Sequence, residues 1–226
     1  MDFLGVVFET SWGWCGALLS PLGVRRMSAP FSSEDAARDW LGGIVAALDS
    51  HKGGSNRRSA VSLRTLSLDE ANAARNPVQA PKAAAPADHS DSPRALDSLA
   101  DALVLQIRAY FDSGRNDFSL PFDWNNATLF QRRVWEAVRR VPFGETRTYG
   151  EIAVECGHPG AARAVGTVMK SNPVALLVPC HRVVAMNGLG GYFGPGGLAL
   201  KRRLLDHEAP DRPGDLRAKN SSGPCH

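Results

Sequence analysis

The residues best suited to chemistry lie in one stretch, Asn172-Pro173-Val174-Ala175-Leu176-Leu177-Val178-Pro179-Cys180-His181-Arg182-Val183-Val184. An apolar run over 174–178 delivers a cysteine at a proline turn, with a histidine beside it. A thiol becomes a useful nucleophile only as thiolate, which a nearby base or positive surroundings can supply. Neighbouring residues on an extended chain point apart, so adjacency does not itself establish contact. Spacing alone leaves two other readings open. One is a buried structural cysteine beside an incidental histidine; the other is a cysteine hydrolase that turns over ester or peptide substrates.

Other chemistry-bearing patterns fall short. Residues 188–197 are glycine-rich but lack the strand-to-helix setting of a phosphate loop. Cys156 with His158, and Cys225 with His226, lack the paired spacing of a zinc site, and Cys15 has no obvious partner. No metal and no cofactor are expected. The four cysteines are too few and too scattered for a disulfide framework, which points to reduced thiols inside a cell. The opening Met1-Asp2-Phe3-Leu4-Gly5 has neither the basic start nor the apolar run of a secretory signal. A cytoplasmic protein is expected, or a nuclear one in a eukaryote. With a mean hydropathy of -0.21 and no apolar run of membrane length, a spanning helix is excluded.

Two groups of elements must position the cysteine. Residues 6–29 read as short strands around Val6-Val7-Phe8-Glu9-Thr10 and Gly16-Ala17-Leu18-Leu19, with a turn at Ser20-Pro21-Leu22-Gly23. A helix over 33–48 is opened by Ser33 and by Glu34 and Asp35 in its positive first turn. Residues 51–93, with Gly53-Gly54-Ser55, Asn76-Pro77 and an Ala/Pro stretch, offer little continuous apolar face and read as a linker or long flexible loop, with room for a short strand near 61–68 that the pattern does not favour. Leu99, Leu103, Ile107 and Tyr110 then repeat at helical spacing up to Ser113-Gly114, and 117–123 is an extended connector.

From residue 125 the signals are denser. Thr128 can cap a helix whose Phe130, Val134, Val138 and Val141 share a face, ended by Pro142-Phe143-Gly144. Thr148 and Glu151 have capping-box spacing for a short helix to Cys156. After the turn Gly157-His158-Pro159-Gly160, a second short helix covers 161–170 and stops at Asn172-Pro173. Such a pair is the layout of a helix-turn-helix. Residues 125–209 carry 11 Lys and Arg against 6 Asp and Glu, so the basic excess of this +3 chain sits with the helix pair. That suits contact with phosphates, although a solvated basic face has the same charge.

In combination these motifs become specific. Phe130-Gln131-Arg132-Arg133-Val134-Trp135, Pro142-Phe143-Gly144-Glu145-Thr146, Thr148-Tyr149, Ala161-Ala162-Arg163-Ala164-Val165-Gly166, Asn172-Pro173, Pro179-Cys180-His181-Arg182-Val183 and 201–208 follow one another in order. Together they resemble the 6-O-alkylguanine-DNA alkyltransferases, also called methylated-DNA–protein-cysteine methyltransferases. The likeness covers 130–208; the first half is similar only in layout.

The resemblance implies a two-domain α+β fold. Residues 1–123 would form a ribonuclease H-like sheet-plus-helix domain with the long loop at 51–93. Residues 124–209 would form a mostly helical, winged helix-turn-helix-like domain holding the acceptor, and 210–226 a flexible tail. It implies DNA repair by one irreversible transfer of an alkyl group to Cys180 from 6-O-alkylguanine, with 4-O-alkylthymine as a second candidate substrate. In that reading His181 is the base, acting through a water, and Glu208 orients it. Asn172 holds the active-site turn, and Tyr149 assists the leaving base and helps rotate its phosphate. The carbonyls of Val178 and Cys180 would accept the guanine amino group, while Tyr192 and Phe193 would flank the guanine oxygen. Arg163 would fill the stack vacated by the flipped base, while the small Ala161, Ala162 and Gly166 let the helix approach the minor groove of double-stranded DNA. A monomer acting without a membrane is expected. Non-catalytic lesion-binding relatives lack the acceptor cysteine, so Cys180 argues against that alternative. One departure stands out: Tyr192-Phe193-Gly194-Pro195-Gly196-Gly197 holds about two residues more than the usual run from tyrosine through one small residue to Gly-Gly. The longer loop is expected to project over the alkyl pocket and admit groups larger than methyl.

Overall fold

The computed structural model describes residues 2–50, 61–67, 93–114, 118–124 and 126–209. The tail at 210–226, most of 51–93, and Cys225 and His226 lie outside the described residues. The chain divides into two compact units, the first comprising Met1–Asn126 with Pro173–Ala175 and the second Ala127–Asn172 with Leu176–His226.

The first unit is built on strands β1 (Phe3–Thr10), β2 (Gly13–Ser20), β3 (Gly23–Met27) and β4 (Val61–Leu66), with helices α1 (Glu34–Ser50) and α2 (Pro93–Ser113). The sheet order is β3-β2-β1-β4. β1 and β2 are antiparallel, with Val6 opposite Ala17 and Phe8 opposite Cys15. Alternation sends Phe3 and Val7 to one face, where Leu18, Ala37 and Leu41 complete a buried cluster beneath α1. Leu4, Val6 and Phe8 point the other way and are equally buried, and α2 packs against the same two strands. Ser33 Oγ accepts from Ala36 N, as the cap at the start of α1 requires. Arg25 and Ser20 both donate to Asp123 Oδ2, closing the end of the connector onto the sheet.

β4 falls where the sequence left room for a short strand, near 61–68, inside a stretch read mainly as linker or loop. Val61–Leu66 pairs in parallel with β1 over six residues, from Phe3–Val61 to Phe8–Leu66. The pattern Val-Ser-Leu-Arg-Thr-Leu alternates, but it is short, and Leu63 on this edge strand remains exposed. Its pairing with β1 is what makes it a strand.

The second unit is mostly helical: α3 (Leu129–Arg139), α4 (Tyr149–Glu155), α5 (Ala162–Lys170) and α6 (Gly197–Glu208), with two-residue strands β5 (Arg147–Thr148) and β6 (Val183–Val184). Thr128 and Gln131 form a reciprocal capping box at α3, and Thr148 and Glu151 another at α4. The buried side of α3, including Val134, Trp135 and Val138, faces the unit's interior, and Trp135 Nε1 donates to Val168 O at 3.4 Å. No described helix is long and apolar enough to cross a membrane.

Candidate active site

Two short pairings bring the site together. β5 leads directly into Tyr149, and β6 follows directly from the 3-10 turn Cys180–Arg182. Arg147 pairs with Val183 and Thr148 with Val184, so the start of α4 lies beside the turn that carries the thiol. The apolar residues before that turn, Val174, Leu176, Leu177 and Val178, are all buried. Asn172 then fixes the turn: its Nδ2 donates to Val178 O at 2.9 Å, and the same carbonyl accepts from Cys180 N at 2.8 Å.

Cys180 is partly exposed. Burial raises its pKa, while the Asn172 amide, the charge of Lys201 and the backbone N–H groups of Cys180 and His181 oppose the rise by stabilising the thiolate. His181 is fully buried. Burial lowers its pKa against the pull of Glu208, which favours the neutral imidazole. Its Nε2 meets Glu208 Oε1 at 2.8 Å. A carboxylate can only accept, so Nε2 carries the proton and Nδ1 keeps its lone pair. Nδ1 is buried with no hydrogen-bonding group of the protein against it. A neutral histidine in this tautomer is a base whose accepting nitrogen is Nδ1.

Glu208 is the hub. Arg182 grips it with both edges of the guanidinium, Nε to Oε2 at 2.8 Å and Nη2 to Oε1 at 2.9 Å, while Nη1 donates to Val141 O at 2.7 Å. Burial alone would raise the Glu208 pKa, but the hydrogen bond from His181 and the bonds and charge of Arg182 hold it down at about 2. The ring of Phe143 lies 5.7 Å from the Arg182 guanidinium carbon. Gly144 explains the glycine of the Pro-Phe-Gly motif. Its φ is 74°, and a Cβ there would come within 2.8 Å of Glu208 O, so only glycine lets the chain pass the end of α6.

Lys201 was not singled out from sequence, yet it is fully buried. Its Nζ donates to Val183 O and Leu189 O, both at 2.6 Å, and to Gly191 O at 3.1 Å. Burial lowers its pKa to about 8, and a charge on Cys180 would raise it again. Among the described residues no carboxylate pairs with it. Arg182 and Glu208 cancel, so Lys201 remains as an ammonium whose natural counter-charge is the Cys180 thiolate. The sequence did hold a signal. Lys201, Leu204, Leu205 and Glu208 fall at i, i+3, i+4 and i+7, which puts two charged residues on the apolar stripe of α6.

Tyr149 lies between two glycines. A Cβ on Gly166 would be 3.9 Å from its ring and one on Gly190 2.9 Å, while its hydroxyl donates to Gly191 O at 3.4 Å. Burial and the nearby Cys180 charge hold the phenol above its ordinary pKa, so it keeps its proton. Gly190, not Gly166, is the glycine that Tyr149 requires, since a Cβ at Gly166 would make only ordinary contact with the ring. Arg163 is exposed on α5, and Ala161 and Ala162 are partly exposed at its start. Tyr192 is half-buried, and Phe193 is exposed in the loop before α6.

Comparison with known proteins places these features in context. Residues 129–210 match the family model described as 6-O-methylguanine DNA methyltransferase, DNA binding domain. The methylated-DNA–protein-cysteine methyltransferase of Mycobacterium bovis is 49% identical over 114 residues, which is 50% of this chain and 67% of the relative. The constitutive methylated-DNA–protein-cysteine methyltransferase of Bacillus subtilis is 44% identical over 122 residues, 54% of this chain and 70% of the relative. Among solved structures, Mycobacterium tuberculosis OGT in complex with DNA superposes with a TM-score of 0.60 at 28% identity, covering 94% of this chain and 97% of that one.

Proposed function

The chain belongs to the methylated-DNA–protein-cysteine methyltransferase family, and from that premise we propose that it repairs DNA by moving one alkyl group from 6-O-alkylguanine, or from 4-O-alkylthymine, onto Cys180. The observation that carries this reading is the charge arrangement around Cys180: its thiolate is favoured by the charge of the buried Lys201, which no carboxylate pairs among the described residues, and the next residue, His181, is held by Glu208 with the lone pair of Nδ1 unengaged.

In the reaction, His181 Nδ1 takes the thiol proton through a water, while Glu208 steadies the cation that forms. The thiolate of Cys180, favoured by Lys201 and Asn172, attacks the alkyl carbon in line. A carbon–sulfur bond forms and the carbon–oxygen bond breaks, leaving its electron pair on the guanine. Tyr149, still protonated, donates to the departing base and regains a proton through solvent from His181, so the thiol proton in effect ends on the base, which leaves as ordinary guanine. The Cys180 carbonyl and the backbone around Val178 and Tyr192 orient the purine. The thioether has no route to hydrolysis, so product plateaus at one alkyl group per chain however much lesion is supplied. Sustained turnover would instead place the chain with cysteine hydrolases.

The partner is duplex DNA with an alkylated guanine, met by a monomer. α5 enters the minor groove, where its small residues permit close approach, and the lesion rotates out of the stack at a cost of a few kcal/mol. Arg163 fills the space left behind. Arg163→Ala is therefore expected to slow repair of duplex roughly tenfold or more, with much less effect on free alkylguanine base. Equal slowing on both substrates would make Arg163 structural.

The ammonium makes a separate prediction. Lys201→Gln removes the positive charge facing Cys180, so the thiol pKa rises and the pH dependence of thiol alkylation moves to more alkaline values. An unchanged pH profile in the folded variant would show that the thiolate is stabilised without Lys201.

A further inference from the structure

The loop between β6 and α6 leaves one large aromatic in water. Phe193 is 64% exposed, although the loop around it is tightly organised. A Cβ on Gly194 would fall 2.6 Å from the Tyr192 ring, so the chain folds back over Tyr192 immediately after Phe193. Gly191 lies against the Phe193 ring, with a Cβ there 3.6 Å from its Cε2. The Gly191 carbonyl is held by both Tyr149 and Lys201. Pro195 limits the following torsion, and Gly196 enters α6 in the left-handed conformation, with φ of 80°. The ring is thus displayed from an anchored backbone.

A charged neighbour gives its direction. Lys170 Nζ stands 4.9 Å from the centroid of the Phe193 ring. Lys170 is the last residue of α5, and the exposed residues Arg163, Ala164, Thr167 and Lys170 follow one another on one helix face. That face carries Arg163, the residue assigned above to the duplex. Phe193 therefore continues the same face beyond the end of α5, as a flat apolar surface beside a cation. Aromatic rings next to basic side chains are the usual platforms for nucleobases.

We propose that Phe193, steadied by Lys170, is a DNA-stacking residue that packs against a nucleobase near the extruded nucleotide, and that its ring is not a wall of the alkyl pocket. This rests on the reading of Cys180 as the acceptor. It assigns the extra length of the loop to the grip on duplex DNA.

The test compares the full chain with Phe193→Ala and Phe193→Trp on duplex carrying 6-O-methylguanine and on free 6-O-benzylguanine. Loss of one base–aromatic stack corresponds to roughly 5- to 100-fold in duplex affinity. Phe193→Ala is expected to lose duplex affinity in that range and to slow transfer from duplex at sub-saturating DNA. Its rate with the free base should change less than about twofold, and Phe193→Trp should restore duplex binding. Unchanged duplex affinity in Phe193→Ala would overturn the proposal. So would a matching loss on the free base, which would return Phe193 to the alkyl pocket. Transfer by the unaltered chain is measured on the same duplex, and its absence would count against the acceptor reading itself.

Discussion

Cys180→Ala is expected to abolish alkyl transfer completely while leaving duplex binding within about twofold of the parent chain. The substitution removes the only sulfur in the charge arrangement described above, but it touches none of the basic surface that meets phosphates. Alanine is also smaller and apolar, so no buried polar group is created. It leaves Lys201 without the thiolate as counter-charge, yet the three carbonyls that hold the ammonium remain. Transfer is measured with labelled duplex and binding by electrophoretic shift. Residual transfer in Cys180→Ala would mean that another thiol is the acceptor, and loss of binding would mean that Cys180 has a structural role.

Glu208→Gln carries the second large effect, on stability as well as rate. An amide keeps the shape but not the charge, so Arg182 and the proton relay through His181 lose their common anion inside the fold. Removing one partner of a buried pair typically costs about 3–5 kcal/mol, and loss of a positioned base typically lowers a rate by about 100-fold or more. The pH dependence has a definite sign. Glu208 has a folded pKa of about 2 against an ordinary 4.5, so its contribution is fully present above pH 4.5. It is lost as the pH falls from there through about 2. That shift is worth about 3 kcal/mol for this group. The parent chain should therefore lose stability over that acid window by more than Glu208→Gln does. Thermal unfolding of both proteins from pH 7 down to pH 3 makes the comparison. Parallel acid limbs would show that Glu208 is not the titrating anchor.

Local signals carried much of this architecture. Thr128 and Thr148 each announce a helix through a side chain and its capping partner three residues on, a bond that depends on nothing distant. The helix periodicity of 99–110 and the turn at 157–160 are local in the same sense. β4 was harder, because six alternating residues at a sheet edge become a strand only through β1, whose paired residues lie 58 positions earlier in the chain. Cys180, His181, Tyr149 and Asn172 were legible through motif order, not through spacing, since nothing in an adjacent Cys-His pair states which nitrogen faces which atom. Lys201 was missed because a lysine followed by Arg202 and Arg203 looks like part of an exposed basic run. Only its place on the stripe with Leu204 and Leu205 separates it from them. Gly144 could not be explained from sequence at all. Its reason is the carbonyl of Glu208, which approaches it from the far end of the unit's sequence.

The central claim is that Cys180 is the terminal acceptor of a transferred alkyl group. The direct measurement incubates the full chain with duplex carrying 6-O-methylguanine labelled in its methyl group, followed by digestion and mass analysis of the cysteine peptides. The account predicts one label per chain, on the peptide containing Cys180, with the lesion restored to guanine in equal amount. Label on Cys15, Cys156 or Cys225 with Cys180 unmodified, or label released into solution while repair continues, would contradict it.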